Sequence, residues 1–352
     1  MLDNRNLIVA ILLSVTILIG FQLLYGVPTQ EERRDQPPEQ ASSEDPLALS
    51  APKHQPNESS SDIVTAKDTI KNTIVDRKTA INSSPRLKIR SQRLTGSILL
   101  EGAQIDDLTL LDYGETSERN SNRVVFLAPT GTANPYVARF GWVSNDKIEL
   151  PDSKSVWAPD QNALTPEQPV TLTWDNGAGL IFKLLIELDE HYMFRITQSV
   201  RNSTSKPVKL FPYGRVFRDG APETMGFFIL HEGAIGVFDD VLEQIDYDDI
   251  VEEKSIKRSP SVEGGWIGFT DKYWLTALIP NKKTGSVFSF SHAPSPRYCS
   301  PGKSSLINIT PTKQKGPCGM FQVDYMRDAI IVGPGQNKET TDHFFAGAKV
   351  VR

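Results

Sequence analysis

VTLTWDNGAGLIFKLLIELDEHYMFRITQSVRNSTSKPVKL, residues Val170 to Leu210, alternates with a period of two along most of its length. Val170, Leu172 and Trp174 interleave with Thr171 and Thr173, and Asp175, Asn176 and Gly177 then supply a turn whose positive-φ positions suit Asn and Gly. Leu180, Phe182, Leu184, Ile186 and Leu188 continue on one face, opposed by Lys183, Glu187 and Asp189. After a second turn at Asp189 to His191, Tyr192, Phe194, Ile196 and Val200 oppose Arg195, Thr197, Ser199 and Arg201. The pattern predicts a three-stranded antiparallel meander, whose third strand stops at NSTSKP because Pro207 has no amide to give a ladder.

The same period recurs outward from this stretch, at Leu87 with Ile89, Ile98 with Leu100, Phe321 with Val323 and Tyr325, and in the terminal run HFFAGAKVV. No strong helical stripe of ten or more residues interrupts the body, which argues against alternating βαβ units and for a mainly β fold. The body spans Leu87 to Arg352, 266 residues, and is expected to be a sandwich of two extended sheets with many strands apiece. Gly264 to Pro280, GGWIGFTDKYWLTALIP, is too broken by Asp271 and Lys272 to span a bilayer. It reads as a hairpin around the TDK turn with a second strand apolar on both faces, so Trp266, Tyr273 and Trp274 are expected core aromatics, with ligand stacking as the alternative.

Ahead of the body, Leu7 to Gly26 is twenty residues without a charge; as a helix it spans roughly 30 Å, the thickness of a hydrocarbon core. A cleavable signal would have a shorter apolar run followed by a small-x-small site, where this chain has Leu23, Leu24 and Tyr25. Residues 1–27 are therefore expected to be an uncleaved transmembrane anchor, with the short head in the cytoplasm and the bulk outside. Pro28 to Arg86 carries seven of the 24 prolines, many Ser, Asn and Gln, and no aromatic residue, and is expected to be a disordered linker. As a flexible coil it would reach about 40 Å. Ile63, Ile70 and Ile74 recur near helical spacing within it, which leaves a transient helix open.

Thirty-eight basic against 43 acidic residues, with no basic cluster, argue against a nucleic-acid partner. His231, in ILHEG, is the best of five histidines for acid–base work, yet Glu232 beside it would face the other way on a strand. Adjacent Asp106 and Asp107, and Asp239 and Asp240, splay apart on strands and make no acid–base dyad. The acidic run Ile245 to Lys254 lacks the glycine and twelfth-position glutamate of a calcium loop and reads as a solvated loop or helix end. No catalytic, cofactor-binding or metal constellation emerges. Cys299 and Cys318 are a candidate disulfide; paired, they close a loop of about 20 residues, worth about 3 kcal/mol in the loop-entropy model, and unpaired they are two thiols.

Several blocks, in order, resemble those of YidC-type membrane protein insertases, especially alphaproteobacterial ones. These are DNRNLIVAILLSVTILIGFQLLYG, RLTGSILLEGAQIDDLTLLDYGET, GWV with VW, LTPEQPVTLTWDNGAGL, PYGRVFRDGAPETMGFFILHEGAIGVFDD, YDDI, GGWIGFTDKYWLTALIP and FAGAKVV. The resemblance implies an inner-membrane protein whose first helix is followed by a periplasmic β-supersandwich of the galactose mutarotase-like kind. It implies insertion, folding and assembly of nascent integral membrane proteins, alone or with the Sec translocon and its accessory subunits, and no cofactor. In that family an interfacial helix and five more membrane helices follow the β domain, whereas this chain has no apolar run of 18 residues after Gly26. The chain is thus expected to hold the anchor and periplasmic domain only, and not to insert proteins by itself. The rival reading is a carbohydrate-binding or mutarotase-like enzyme on the same fold, which needs His231 or His292 beside a carboxylate in an open aromatic pocket. A third is a structural spacer.

Overall fold

A computed structural model of the chain describes residues 74–118, 120–222, 231–260, 264–282, 285–295 and 317–349. All lie in the larger of two compact units, Pro56–Arg352. The path opens with helix α1 (Arg77–Asn82), capped by Asp76, whose carboxylate accepts the Thr79 amide at 3.0 Å. Strands follow: β1 (Arg86–Arg90), β2 (Leu94–Leu99), β3 (Gln104–Gly114), β4 (Arg123–Leu127), β5 (Tyr136–Val143), β6 (Ala158–Pro159), β7 (Ala163–Leu164) and β8 (Val170–Asp175). The chain continues through β9 (Leu180–Leu188), β10 (Met193–Asn202), β11 (Val208–Asp219), β12 (Gly233–Phe238) and β13 (Val241–Ile245) to helix α2 (Tyr247–Glu253). It closes with β14 (Ser255–Arg258), β15 (Trp266–Thr270), β16 (Trp274–Ile279), β17 (Ser286–Ala293), β18 (Met320–Arg327), β19 (Ile330–Val332) and β20 (Asn337–Ala348).

Among the described residues these form two sheets. One has eleven strands, in the order β14-β17-β18-β11-β5-β3-β2-β1-β7, with β19 and β4 attached to β11 and β3. The other has nine, in the order β13-β12-β15-β16-β20-β10-β9-β8-β6. Pairing is antiparallel except between β1 and β7. The expected meander is β8-β9-β10, with Leu180, Phe182, Leu184, Ile186 and Leu188 all buried. Its first turn is held by Asn176, whose side-chain oxygen accepts the amides of Ala178 at 2.8 Å and Leu180 at 3.0 Å. In the second, the Asp189 carboxylate accepts those of His191 at 2.7 Å and Met193 at 2.8 Å.

Apolar side chains fill the space between the sheets: Phe140 meets Phe344 with ring centroids 6.0 Å apart, Trp142 meets Phe182 at 5.1 Å, and Phe238 meets Phe288 at 5.1 Å. Among the described residues, polar contacts also join the two sheets. Tyr136 and Thr276 share a hydrogen bond of 2.7 Å, Gln198 donates to the Gly141 carbonyl at 2.7 Å, and Arg218 reaches Asp271 at 2.9 Å. A fourth centres on Asp342 of β20, fully buried, which accepts from Arg327 at 2.6 Å, from the Tyr325 hydroxyl at 2.7 Å and from the Asn281 amide at 2.9 Å. Burial, and then Asp342 itself, hold the Tyr325 hydroxyl well above its usual pKa.

The linker expected over Pro28 to Arg86 contains α1, and the end of that segment is fixed to the sandwich. Val75 donates its amide to Gly131 at 3.0 Å, and Arg77 binds the buried carboxylate of Asp107 and the Thr109 hydroxyl, the latter at 2.8 Å. A contact thirty residues away, Arg77 to Asp107, gives this polar stretch the partner that its composition does not reveal. The anchor expected over Leu7 to Gly26, and Ile63 and Ile70, lie outside the described residues. Among the described residues no helix is long and apolar enough to cross a membrane.

Replacing Asp342 with alanine leaves the Arg327 guanidinium buried without its carboxylate. Asp342→Ala should therefore cost about 3–5 kcal/mol in urea unfolding; a loss under about 1 kcal/mol would mean that water replaces the carboxylate and that the contact does not hold the sheets.

Candidate functional site

Gly264 to Pro280 folds as β15 and β16, closed by a turn in which the Asp271 amide donates to the Trp274 carbonyl at 2.9 Å. Trp274 points between the sheets, edge-on to Tyr113 with centroids 5.1 Å apart, and packs against the core. Tyr273, expected in the core, is 56% exposed. It belongs to the turn, just before the ladder begins, and the Lys272 ammonium lies 4.9 Å from its ring centroid. Trp266 is half-buried and pairs with Val237, opposite in facing to the inward Phe238, so it stands on the outer face of the nine-strand sheet. Of the three expected core aromatics, Trp274 alone packs between the sheets.

The TDK turn is the focus of a charged cluster at one end of the sandwich. Arg218 of β11 donates to Asp271 at 2.9 Å and to the Tyr247 hydroxyl of α2 at 3.1 Å, and its guanidinium carbon lies 4.6 Å from the Tyr136 ring centroid. Burial works against the Arg218 charge, but Asp271, Tyr247 and Tyr136 more than compensate and raise its pKa. Burial raises the Tyr136 and Tyr247 hydroxyls against the pull of Arg218. Lys349 completes the cluster by donating to the Thr270 hydroxyl at 3.0 Å and the Asp271 carbonyl at 2.6 Å.

Beside it opens a cavity of about 370 Å³ lined by Arg93, His191, Tyr192, Leu275, Phe345 and Lys349, among others. Tyr192 is buried in its wall with φ at +73°, a left-handed conformation unusual for a bulky residue. Its ring lies on Gly347, where a Cβ would come within 2.3 Å. The cavity therefore has a basic rim and an apolar wall. A second polar patch, missed in the sequence, lies on the outer face of the eleven-strand sheet, where Lys257, Ser289, Asp324, Arg215 and Arg139 are successive cross-strand neighbours. Burial pushes Asp324 up to about 6, against Gln322, Arg215 and Lys257.

The candidate catalytic groups are dispersed. His231 bonds the Ala234 carbonyl through Nε2 at 2.8 Å and approaches Asp246 through Nδ1 at 3.4 Å; it has a carboxylate neighbour but does not line the cavity. His292 bonds the Cys318 carbonyl at 2.8 Å. Asp106 pairs with Arg86 and Asp107 with Arg77, each carboxylate with its own arginine. Asp239 and Asp240 form a tight turn, with φ of 50° and 62°. The acidic run is α2 with its N-cap Asp246; Tyr247 and Ile250 are buried, and Asp248 and Asp249 occupy the first turn, where negative charge suits the helix dipole. Among the described residues, no three His, Cys, Asp or Glu side chains gather as metal ligands. Cys318 is exposed, and Cys299 lies outside the described residues.

The family model described as the YidC periplasmic domain matches residues 86–352. Proteins named Membrane protein insertase YidC match over 99% of the chain, at 40% identity in Granulibacter bethesdensis, 37% in Bradyrhizobium diazoefficiens and 36% in Methylorubrum extorquens. The chain spans about half the length of these relatives, 56%, 54% and 56% respectively. Among solved structures, a galactose mutarotase related enzyme from Lactobacillus acidophilus aligns with a TM-score of 0.50 at 9% identity, covering 76% of this chain and 100% of that one. At that identity the likeness is one of fold.

The differing surroundings of the two neighbouring aromatics predict different costs. Trp274→Ala should lower unfolding stability by about 2–3 kcal/mol, the half-buried share of a core tryptophan, and Tyr273→Ala by less than about 0.5 kcal/mol. Equal losses in denaturant titrations would contradict these placements.

Proposed function

Because the chain belongs to the YidC periplasmic-domain family, we propose that it is the anchor and periplasmic interaction part of a membrane protein insertase. Its clients are nascent integral membrane proteins, and its partners are the Sec translocon with its accessory subunits. Leu7 to Gly26 anchors it in the inner membrane with the bulk of the chain in the periplasm, and the linker between anchor and α1 holds the sandwich off the bilayer. The observation that carries this reading is the unbroken match of residues 86–352 to the family model, joined to relatives of one name along nearly the whole chain.

The supersandwich acts by binding rather than by catalysis. A sugar enzyme on this fold would need a histidine and a carboxylate together at an aromatic cavity; His191 lines the one formed by Tyr192 and Phe345, but among the described residues its lining includes no carboxylate, and His231 and Asp246 stand together outside it. The chain carried on a full-length relative's downstream helices, solubilised in mild detergent, should retain Sec components and nascent membrane proteins. Recovery of neither, from membranes where the native insertase recovers both, would refute the reading.

In an oxidising periplasm Cys299 and Cys318 form a disulfide, closing the loop before β18. Intact-mass measurement after alkylation without reductant should find no modified thiol; two alkylated cysteines would remove the bond.

A further inference from the structure

Of the two branch strands, β4 opens with Arg123 and β19 has only three residues, and the four strands that end the two sheet orders are not alike. Three are blunted in the usual ways: β6 has two residues and includes Pro159, β7 has two, and β14 carries Lys257 and Arg258. The fourth, β13, reads Val241, Leu242, Glu243, Gln244, Ile245, with no proline or base, and Val241 and Leu242 are 60% and 54% exposed. Its one charge is already engaged, since the Arg258 Nε lies 3.0 and 2.9 Å from the two Glu243 carboxylate oxygens.

The register identifies the backbone groups at this edge. β12 and β13 are joined by Asp239 and Asp240 alone, so Phe238 and Val241 form the hydrogen-bonded pair that closes the hairpin. Bonded pairs then alternate through Gly236 with Glu243 and Ala234 with Ile245. Leu242 and Gln244 therefore turn their N–H and C=O groups away from β12, to the side where, among the described residues, no strand pairs. On the outer face, Leu242 continues across the strands to Val237 and Trp266, an apolar strip that runs to the edge. Exposed acidic residues bracket the strand, with Asp239 and Asp240 at one end and Asp246, Asp248 and Asp249 at the other.

We infer that the free edge of β13 receives an extended polypeptide segment as an added strand, apolar where it runs beside Leu242 and basic at both ends. Backbone pairing at Leu242 and Gln244 supplies the geometry, the strip toward Trp266 takes the apolar side chain, and the acidic brackets select the charge. About five residues, or ~17 Å, are engaged. This binding is separate from the insertase reading, because strand addition here requires neither a bilayer nor translocation.

The probe is a fluorescein-labelled peptide, KKTVTVTKK, titrated against the full chain in nonionic detergent with empty micelles as the blank. It should bind, and it should slow hydrogen exchange at the Leu242 and Gln244 amides. The peptide with glutamates for lysines, and the one N-methylated through its central five residues, should each bind at least about tenfold more weakly, the loss of about 1.4 kcal/mol. Leu242→Pro removes an outward amide without breaking the ladder to β12, and should weaken binding to the same degree with an unchanged unfolding midpoint. If that variant does not fold, Leu242→Lys keeps the ladder and should weaken binding through like charge. No binding, equal binding by the N-methylated peptide or the variant that folds, or unprotected Leu242 and Gln244 amides in the bound state would each overturn the inference. So would a chain that dimerises through this edge, sedimenting as a dimer that Leu242→Pro or Leu242→Lys dissociates.

Discussion

The carboxylate of Asp342, buried between the two sheets, fixes how they lie on one another. Apolar side chains alone would let two sheets of eleven and nine strands slide, because burial of area has no direction. Asp342 removes that freedom: Tyr325 and Arg327 come to it from β18 of one sheet, while it projects from β20 of the other. A displacement of one residue along either strand would turn these groups to the opposite face and leave charges without partners. Tyr136 with Thr276, and Gln198 with the Gly141 carbonyl, repeat the device elsewhere across the same space.

At one end of the sandwich the closure is ionic. Arg218 of the eleven-strand sheet, Asp271 of the nine-strand sheet and Tyr247 of α2 meet there, so the TDK turn is held by groups from three separate parts of the chain. Holding it places Lys349 and Leu275 in the wall of the basic-rimmed cavity, and Trp274 against the core. The edge at β13 lies next to α2, whose N-cap Asp246 engages His231. The basic-rimmed cavity and the β13 edge thus adjoin the same turn and helix that close the core.

Much of the fold was legible in the alternation of Val170 to Leu210, because a strand with one buried face records that face at every second residue. The hairpin of Gly264 to Pro280 was legible for the same reason, but its aromatics were not sorted by it. A second strand apolar on both faces gives no indication of which side faces the core, and Tyr273 precedes the ladder that would have buried it. The end of the expected linker is held to the sandwich by Arg77, whose partner Asp107 meets it only in three dimensions. Asp342 lay unremarked in TDHFF, with nothing in its neighbours to set it apart from a solvated aspartate.

By itself, the sequence determined the mainly β class, the positions of the meander and the main hairpins, and the family, since each rests on local periodicity or on ordered blocks along the chain. Tertiary structure decided which polar groups are buried together, which aromatics are inside, and which strands, among the described residues, end a sheet. Those depend on strands far apart in the chain coming into register. Asp342 with Arg327, Arg218 with Asp271 and Glu243 with Arg258 are pairs that no local pattern encodes.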